Sequence, residues 1–237
     1  MESYQPVAYT QPHHQLIEQL LQGFNHEYLG SHNILFGGGT RIALELKEYR
    51  TSVDIDFLCA NKEAYRAVRR QVTSQSLGEL VRREFTYVPE IRFDRYGVRT
   101  FLEQNGEQVK LEFVAFDDYQ LAKDARNSLF PVPFIDQTSC FTTKLLANAD
   151  RADQKPYKDI FDIVAMAAAW GPIPDSSLRA AANHYSEKVV IQGLKNALEG
   201  FSDNLERYQE AAGAMNISSD FFESTLQPTA EKLRRSL

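Results

Sequence analysis

Arg50-Thr51-Ser52-Val53-Asp54-Ile55-Asp56-Phe57 alternates charged or hydroxyl residues with Thr, Val, Ile and Phe. Period 2 marks a half-buried strand, and it predicts Arg50, Ser52, Asp54 and Asp56 on one face. Carboxylates at i and i+2 on a strand have Cα atoms roughly 6.5–7 Å apart, from a rise of about 3.3 Å per residue. Side chains leaning together from that distance can share a hard divalent cation. Mg²⁺ takes a few carboxylates and completes its shell with phosphate oxygens and water. Without a cation, like charges this close push up one pKa.

Upstream, Ile34-Leu35-Phe36 is a short apolar strand, Gly37-Gly38-Gly39-Thr40 a turn, and Arg41 to Leu46 reads as helix. Backbone N–H groups at a strand–glycine–helix junction can bind an anion, and glycine lets a phosphate approach the backbone. The turn is not a Walker A loop, since no Gly-Lys-Ser/Thr follows, and it lacks the Gly-x-Gly-x-x-Gly fingerprint. Its position shortly before an Asp-x-Asp strand is the more specific feature.

The run GGGTRIALELKEYRTSVDIDF resembles the first motif of the AbiEii/AbiGii-type nucleotidyltransferases, the toxin half of type IV-like toxin–antitoxin systems. These belong to the polymerase-β-like nucleotidyltransferase superfamily. The shared elements are Gly38, Gly39, Arg50, Ser52, Asp54 and Asp56, with Thr40 after the Gly-Gly turn. The resemblance implies an acidic residue on a later strand. Val109 to Phe116 supplies one in Glu112, with Lys110 and Glu112 on one face and Val109, Leu111 and Phe113 on the other. It also implies a third motif, matched in order by Lys144, Arg151, Lys158, Asp159 and Asp162, with Asp153-Gln154-Lys155-Pro156 lengthening the gap after Arg151.

On this resemblance the chain moves NMP from an NTP to an acceptor, with Mg²⁺ or Mn²⁺ as cofactor. Asp54 and Asp56 would hold the metal, with Glu112 as third ligand or general base. Gly38, Gly39, Thr40, Arg50 and Ser52 would contact the triphosphate. Lys144 and Arg151, on one helix stripe with Asn148, would bind triphosphate or acceptor phosphate, and Asp159 and Asp162 would orient them. The acceptor would be the 3′ end of a tRNA or a protein hydroxyl, and an antitoxin protein the partner. Two other readings stay open: a small-molecule, antibiotic-type nucleotidyltransferase, and a non-catalytic scaffold that binds nucleotide.

The chain has 237 residues, 43% hydrophobic and 24% charged, in the range of an ordinary globular protein. No signal peptide and no run of about 18 apolar residues is present, so a cytoplasmic location without membrane insertion is expected. Cys59 and Cys140 lack metal spacing and read as buried free thiols. The histidines have no His-Glu-x-x-His pattern. The net charge of −6 argues against tight non-specific RNA binding. Residues 61–100, with nine Lys/Arg against five acids, form either a solvated helix face or an acceptor-binding edge.

The pattern predicts an α/β (α+β) fold: a polymerase-β-like core with a mixed sheet over 1–130, then a helical domain over 131–237. Strands are expected over 34–36, 51–58, 85–88, 91–96, 98–104 and 108–116, with Asn105-Gly106 as a hairpin turn. Helices are expected over 13–24, 40–47 and 63–75 in the core. In the helical domain they are expected over 139–149, 158–170, 175–186, 189–198, 202–214 and 221–235. Tyr49, Phe57 and Tyr96 are core candidates.

Overall fold

A computed structural model describes residues 4–116, 119–151 and 157–237. The chain divides into two compact units. The first holds Met1–Arg41 and Ser52–Asp136, the second Ile42–Thr51 and Gln137–Leu237. The division falls at residue 136 rather than 130, and the segment 42–51 belongs with the helices.

The first unit is built on a mixed sheet of six strands. These are β1 (Ile34–Gly37), β2 (Asp54–Cys59), β3 (Thr86–Tyr87), β4 (Arg92–Phe93), β5 (Gly97–Gln104) and β6 (Glu107–Ala115). The order is β1-β2-β6-β5-β3, with β4 also on β5. Only β2 and β6 run parallel; the other pairs are antiparallel. Parallel neighbours need a crossover connection, and helix α4 (Lys62–Gln71) lies within it. The remaining helices of this unit are α1 (Pro12–Leu21) and α2 (His26–Ser31), and α3 (Gly38–Glu45) begins here.

Alternation decides which side of each strand is buried. Ile55, Phe57, Val98, Leu102, Val109, Leu111 and Phe113 all lie on the buried face. The Phe57 and Phe113 rings stack at 5.1 Å, with Phe24 4.8 Å from Phe57. The other face carries Asp54, Asp56, Lys110, Glu112, Arg99 and Phe101. Asn105 and Gly106 both have positive φ, 58° and 81°, as a two-residue hairpin turn between twisted strands requires.

The second unit contains α5 (Gln137–Arg151), α6 (Lys158–Trp170), α7 (Asp175–Ala182), α8 (Glu187–Asp203), α9 (Leu205–Ala214), α10 (Ser219–Phe221) and α11 (Gln227–Ser236). Its aromatic core joins Phe161, Phe201, Tyr208 and Phe222, with Phe201 and Phe222 stacked at 5.7 Å. The segment 42–51 is tied in by Thr51 N–H donating to the Met215 carbonyl at 2.9 Å and by Tyr49 packing 5.8 Å from Phe221.

Some expectations change. Strand β2 starts at Asp54, not Thr51. Helix α2 was not expected; it is six residues long, too short to show a period, and is marked only by the Asn25 side chain accepting from Tyr28 N–H at 3.3 Å. The predicted helix over 221–235 contains a π turn at Phe222–Leu226. Pro228 has no N–H to continue the i→i−4 pattern, which accounts for the wider turn just before it. Tyr96 is 57% exposed, whereas Phe57 and Tyr49 are buried. Both cysteines are buried free thiols.

Candidate active site

The β1–α3 junction brings glycines against the Asp-x-Asp strand. Gly37 is the register partner of Asp56 across the antiparallel pair. Gly38 has φ +70°, and a Cβ there would stand 2.1 Å from Asp56 Oδ2. Glycine is therefore required twice, for the backbone conformation and for the room it leaves the carboxylate. Helix α3 begins here, so its first N–H groups have no intrahelical acceptor.

Thr40 and Ser52 are fastened into this junction. Thr40 is 1% exposed; its hydroxyl donates to the Asp54 carbonyl and lies 2.8 Å from Ser52 Oγ. The Ser52 N–H donates to Nε2 of the buried His14 at 3.1 Å. The same His14 nitrogen also lies 3.1 Å from the Ser52 carbonyl oxygen, so His14 meets the main chain at the entrance to β2.

On the open face of the sheet, Asp54 is the register partner of Lys110, and Asp56 of Glu112. Asp54 and Asp56 are half-buried. Glu112 lies between two cations: Lys110 Nζ donates to Oε2 at 2.7 Å and Arg99 Nε to Oε1 at 3.1 Å. Arg99 also reaches Asp94 at 3.2 Å. Burial works against the Lys110 ammonium, but Glu112, with Asp54 and Asp56 nearby, holds its pKa above the usual value. The paired Asp54 and Asp56 carboxylates beside a side-chain-free glycine are the hard oxygen donors that Mg²⁺ takes. Among the described residues, no group of three or more His, Cys, Asp or Glu side chains is placed to hold a metal ion. The Glu112 oxygens are instead turned to Lys110 and Arg99.

The third-motif residues meet inside the second unit. Lys144 on α5 donates to Asp159 Oδ1 at 2.9 Å and pairs with Asp162 Oδ2 at 2.6 Å, both on α6. Arg151 closes on Asp159 with Nε at 2.6 Å and Nη2 at 3.1 Å. Arg50 is not on β2: it is 3% exposed and grips Asp162 through Nε at 2.8 Å and Nη2 at 3.0 Å. The Tyr49 hydroxyl also donates to Asp162. Three cations thus face two carboxylates. Burial pushes both carboxyls up, but Lys144 and Arg151 hold Asp159 well below the usual range, and Arg50 and Lys144 hold Asp162 below it. Asn148, on the same stripe of α5, is buried.

The sequence pattern of the family described as nucleotidyl transferase AbiEii toxin, type IV TA system, matches residues 19–232. The chain belongs to this AbiEii nucleotidyltransferase toxin family. No curated protein matches it. A candidate nucleotidyltransferase from H. pylori has a similar solved structure, with TM-score 0.52 and 16% identity over 94% of this chain and 95% of that one. JHP933 from Helicobacter pylori is similar as well, with TM-score 0.52 and 14% identity over 96% of this chain and 91% of that one. At such identities the likeness concerns the fold.

In this AbiEii-family chain, Gly38, Thr40, Ser52, Asp54, Asp56 and Glu112 lie in the first unit. Arg50, Lys144, Arg151, Asp159 and Asp162 lie in the second. Asp153-Gln154-Lys155-Pro156, the lengthened gap of the third motif, lies outside the described residues. Sequence reasoning missed the part of Tyr49, read as plain core, and of Arg99, counted only within a basic stretch. The signal for Lys110 was present: it stands two residues before Glu112 on the same strand face. Among the described residues, no helix is long and apolar enough to cross a membrane.

Proposed function

We propose that this chain is a metal-dependent nucleotidyltransferase that moves NMP from an NTP to a hydroxyl acceptor, the 3′ end of a tRNA or a protein side chain, in the cytoplasm. The acceptor oxygen attacks the α-phosphorus, the bond to the β-phosphate breaks, and pyrophosphate leaves. The observation that carries this reading is the Asp54–Asp56 pair on one strand face, with Gly38 directly against Asp56. Mg²⁺, or Mn²⁺, held by these carboxylates would neutralise charge on the phosphates. The free N–H groups at the start of α3 would receive phosphate oxygens. Of the third-motif cations, Arg151 is 42% exposed at its side chain and would be the one to bind a triphosphate or acceptor phosphate, while Lys144 is enclosed by Asp159 and Asp162. The toxin family supports a cognate antitoxin protein as partner.

The test is incubation with each α-³²P NTP, Mg²⁺ and total tRNA, beside Asp56→Ala. Label on RNA with the wild type alone supports tRNA as acceptor and identifies the nucleotide. Label on protein selects the protein acceptor. No label on either counts against both, and then small-molecule hydroxyl acceptors are the class to assay.

A further inference from the structure

The strand order β1-β2-β6-β5 gives the Asp54–Asp56 pair two different sides. On the β1 side stand Gly37, the register partner of Asp56, and the start of α3. On the β6 side the open face continues in two rows. One runs Asp54, Lys110, Phe101, and the other Asp56, Glu112, Arg99, Arg92. Residues directly opposite on neighbouring strands project from the same face. Phe101 is therefore two strands from Asp54, about 10 Å at roughly 4.8 Å per strand.

Phe101 is 38% exposed, an aromatic ring among charged side chains. Phe93 and Tyr96 are also exposed, but each ring is covered by a guanidinium, Arg69 at 3.7 Å and Arg95 at 4.6 Å. Among the described residues, no ring or cation stacks on Phe101. Arg99, on the same face, is held by Glu112 at 3.1 Å and Asp94 at 3.2 Å. Arg92 beside it is exposed, and among the described residues no carboxylate pairs with it. In the other direction along β5, Glu103 shares the face of Phe101 and repels phosphate. An uncovered ring with an uncompensated guanidinium to one side suits single-stranded nucleic acid, base on ring and phosphate on cation. A duplex keeps its base faces stacked and out of reach.

We propose that Phe101 stacks a nucleobase of a single-stranded RNA end that serves as the acceptor, with Arg92 taking one of its backbone phosphates. The choice of acceptor rather than NTP rests on the reading of Asp54 and Asp56 as the transfer site. In an in-line displacement the attacking and leaving oxygens lie on opposite sides of the phosphorus. With the triphosphate at the start of α3, pyrophosphate leaves on the β1 side. The acceptor hydroxyl then arrives from the β6–β5 side, where Phe101 and Arg92 stand.

The experiment measures binding of a fluorescein-labelled single-stranded RNA of about 12 nucleotides to the full chain by anisotropy, beside the same strand in a duplex. Circular dichroism confirms folding of each variant. Phe101→Leu is expected to weaken single-strand binding by about tenfold, and Phe101→Trp to stay within about threefold of wild type. Arg92→Gln should weaken binding and lower the slope against log salt by about 0.7. Phe93→Leu, the same change at a covered ring, should bind within about twofold of wild type. In transfer assays Phe101→Leu should raise the KM for RNA and leave the KM for NTP unchanged. Unchanged single-strand binding in Phe101→Leu, or an equal loss for the duplex, overturns the proposal. A rise in the KM for NTP alone also overturns it, by giving the ring to the nucleotide's base. Transfer to RNA with one KM in wild type and Phe101→Leu overturns it while the transfer reading stands. RNA binding that depends on Phe101 in a wild type that transfers nothing overturns the transfer reading, and the RNA surface stands.

Discussion

Both oxygens of Asp162 are gripped by the Arg50 guanidinium, at 2.8 Å from Nε and 3.0 Å from Nη2, although 112 residues separate the two in sequence. The pair is enclosed: Arg50 is 3% and Asp162 0% exposed. Lys144 at 2.6 Å and the Tyr49 hydroxyl complete the shell around the carboxylate. The arrangement joins segment 42–51 to helices α5 and α6 through one buried anion.

Removing that anion should be costly. Asp162→Ala leaves the buried cations Arg50 and Lys144 short of charge, and breaking a buried pair from one side costs about 3–5 kcal/mol. Asp162→Asn keeps the shape and one acceptor oxygen and should lose less. Urea denaturation of both variants checks the order. Equal midpoints for Asp162→Ala and the wild type would remove the cluster from the account of stability.

The same carboxylates predict acid sensitivity. Burial opposes ionisation of Asp159 and Asp162, yet their cationic partners hold both pKa values below the ordinary 3.8. A depressed folded-state pKa means that the unfolded chain takes up protons first as pH falls. The stabilisation is therefore complete above about 4, near the unfolded value, and lost as pH drops through the lower folded values. Urea midpoints at pH 7, 5, 4 and 3 should fall steeply only in the last interval from this source. In Asp162→Asn that acid-limb loss should be smaller, since one of the two depressed carboxyls is gone.

Much of this was legible in the sequence where a period carried it. The alternation of β2 and β6 marked Asp54, Asp56, Lys110 and Glu112 as one class of positions, and the glycine run marked the turn beside them. The alternation misled at Arg50, because a strand pattern and an extended lead-in look alike until a remote partner captures the side chain. The pairing of Glu112 with Arg99 depends on the register between β5 and β6, which no single-strand pattern states. The place of 42–51 among the helices was hidden for the same reason: its contacts are with residues 137–237, far along the chain.

The thiols give a separate check on packing. Cys59 is fully enclosed on β2, and burial pushes its thiol up to about 12. The thiolate is the reactive form, so at pH 8 the native protein should not label at Cys59. Cys140 is also buried. A dithionitrobenzoate assay should find no reactive thiol in the native chain and two in guanidinium chloride. Rapid labelling of one thiol in the native state would mean that one of these two sites opens.

Thr40 offers a test of how β2 is fastened to α3. Its buried hydroxyl meets both the Asp54 carbonyl and Ser52. Thr40→Val keeps the volume and deletes the donor to the Asp54 carbonyl and the contact with Ser52, a loss of about 1 kcal/mol. Thr40→Ser retains the hydroxyl and should recover most of that loss. Thermal melts distinguish the two. If the valine variant melts with the wild type, the hydroxyl is not what anchors the strand.

Gly38 is where backbone and chemistry meet most closely. Any side chain there must adopt φ +70° and place Cβ 2.1 Å from Asp56 Oδ2. The left-handed conformation alone costs roughly 1–2 kcal/mol. The clash adds to this by pushing Asp56 out of line, so Gly38→Ala should lose at least about a hundredfold in nucleotidyl transfer, as expected when a catalytic group is misplaced by about 1 Å. Gly106 supplies the matched control. Its φ is +81°, yet nothing lies within 4 Å of its Cβ position. Gly106→Ala bears the backbone cost without the clash, so it should lower the melting temperature and leave transfer within about twofold of wild type, its substitution touching no group of the site. Label transfer measured for both variants at equal folded concentration separates the effects. An equal loss of activity in the two would show that backbone strain, and not the displacement of Asp56, governs the outcome.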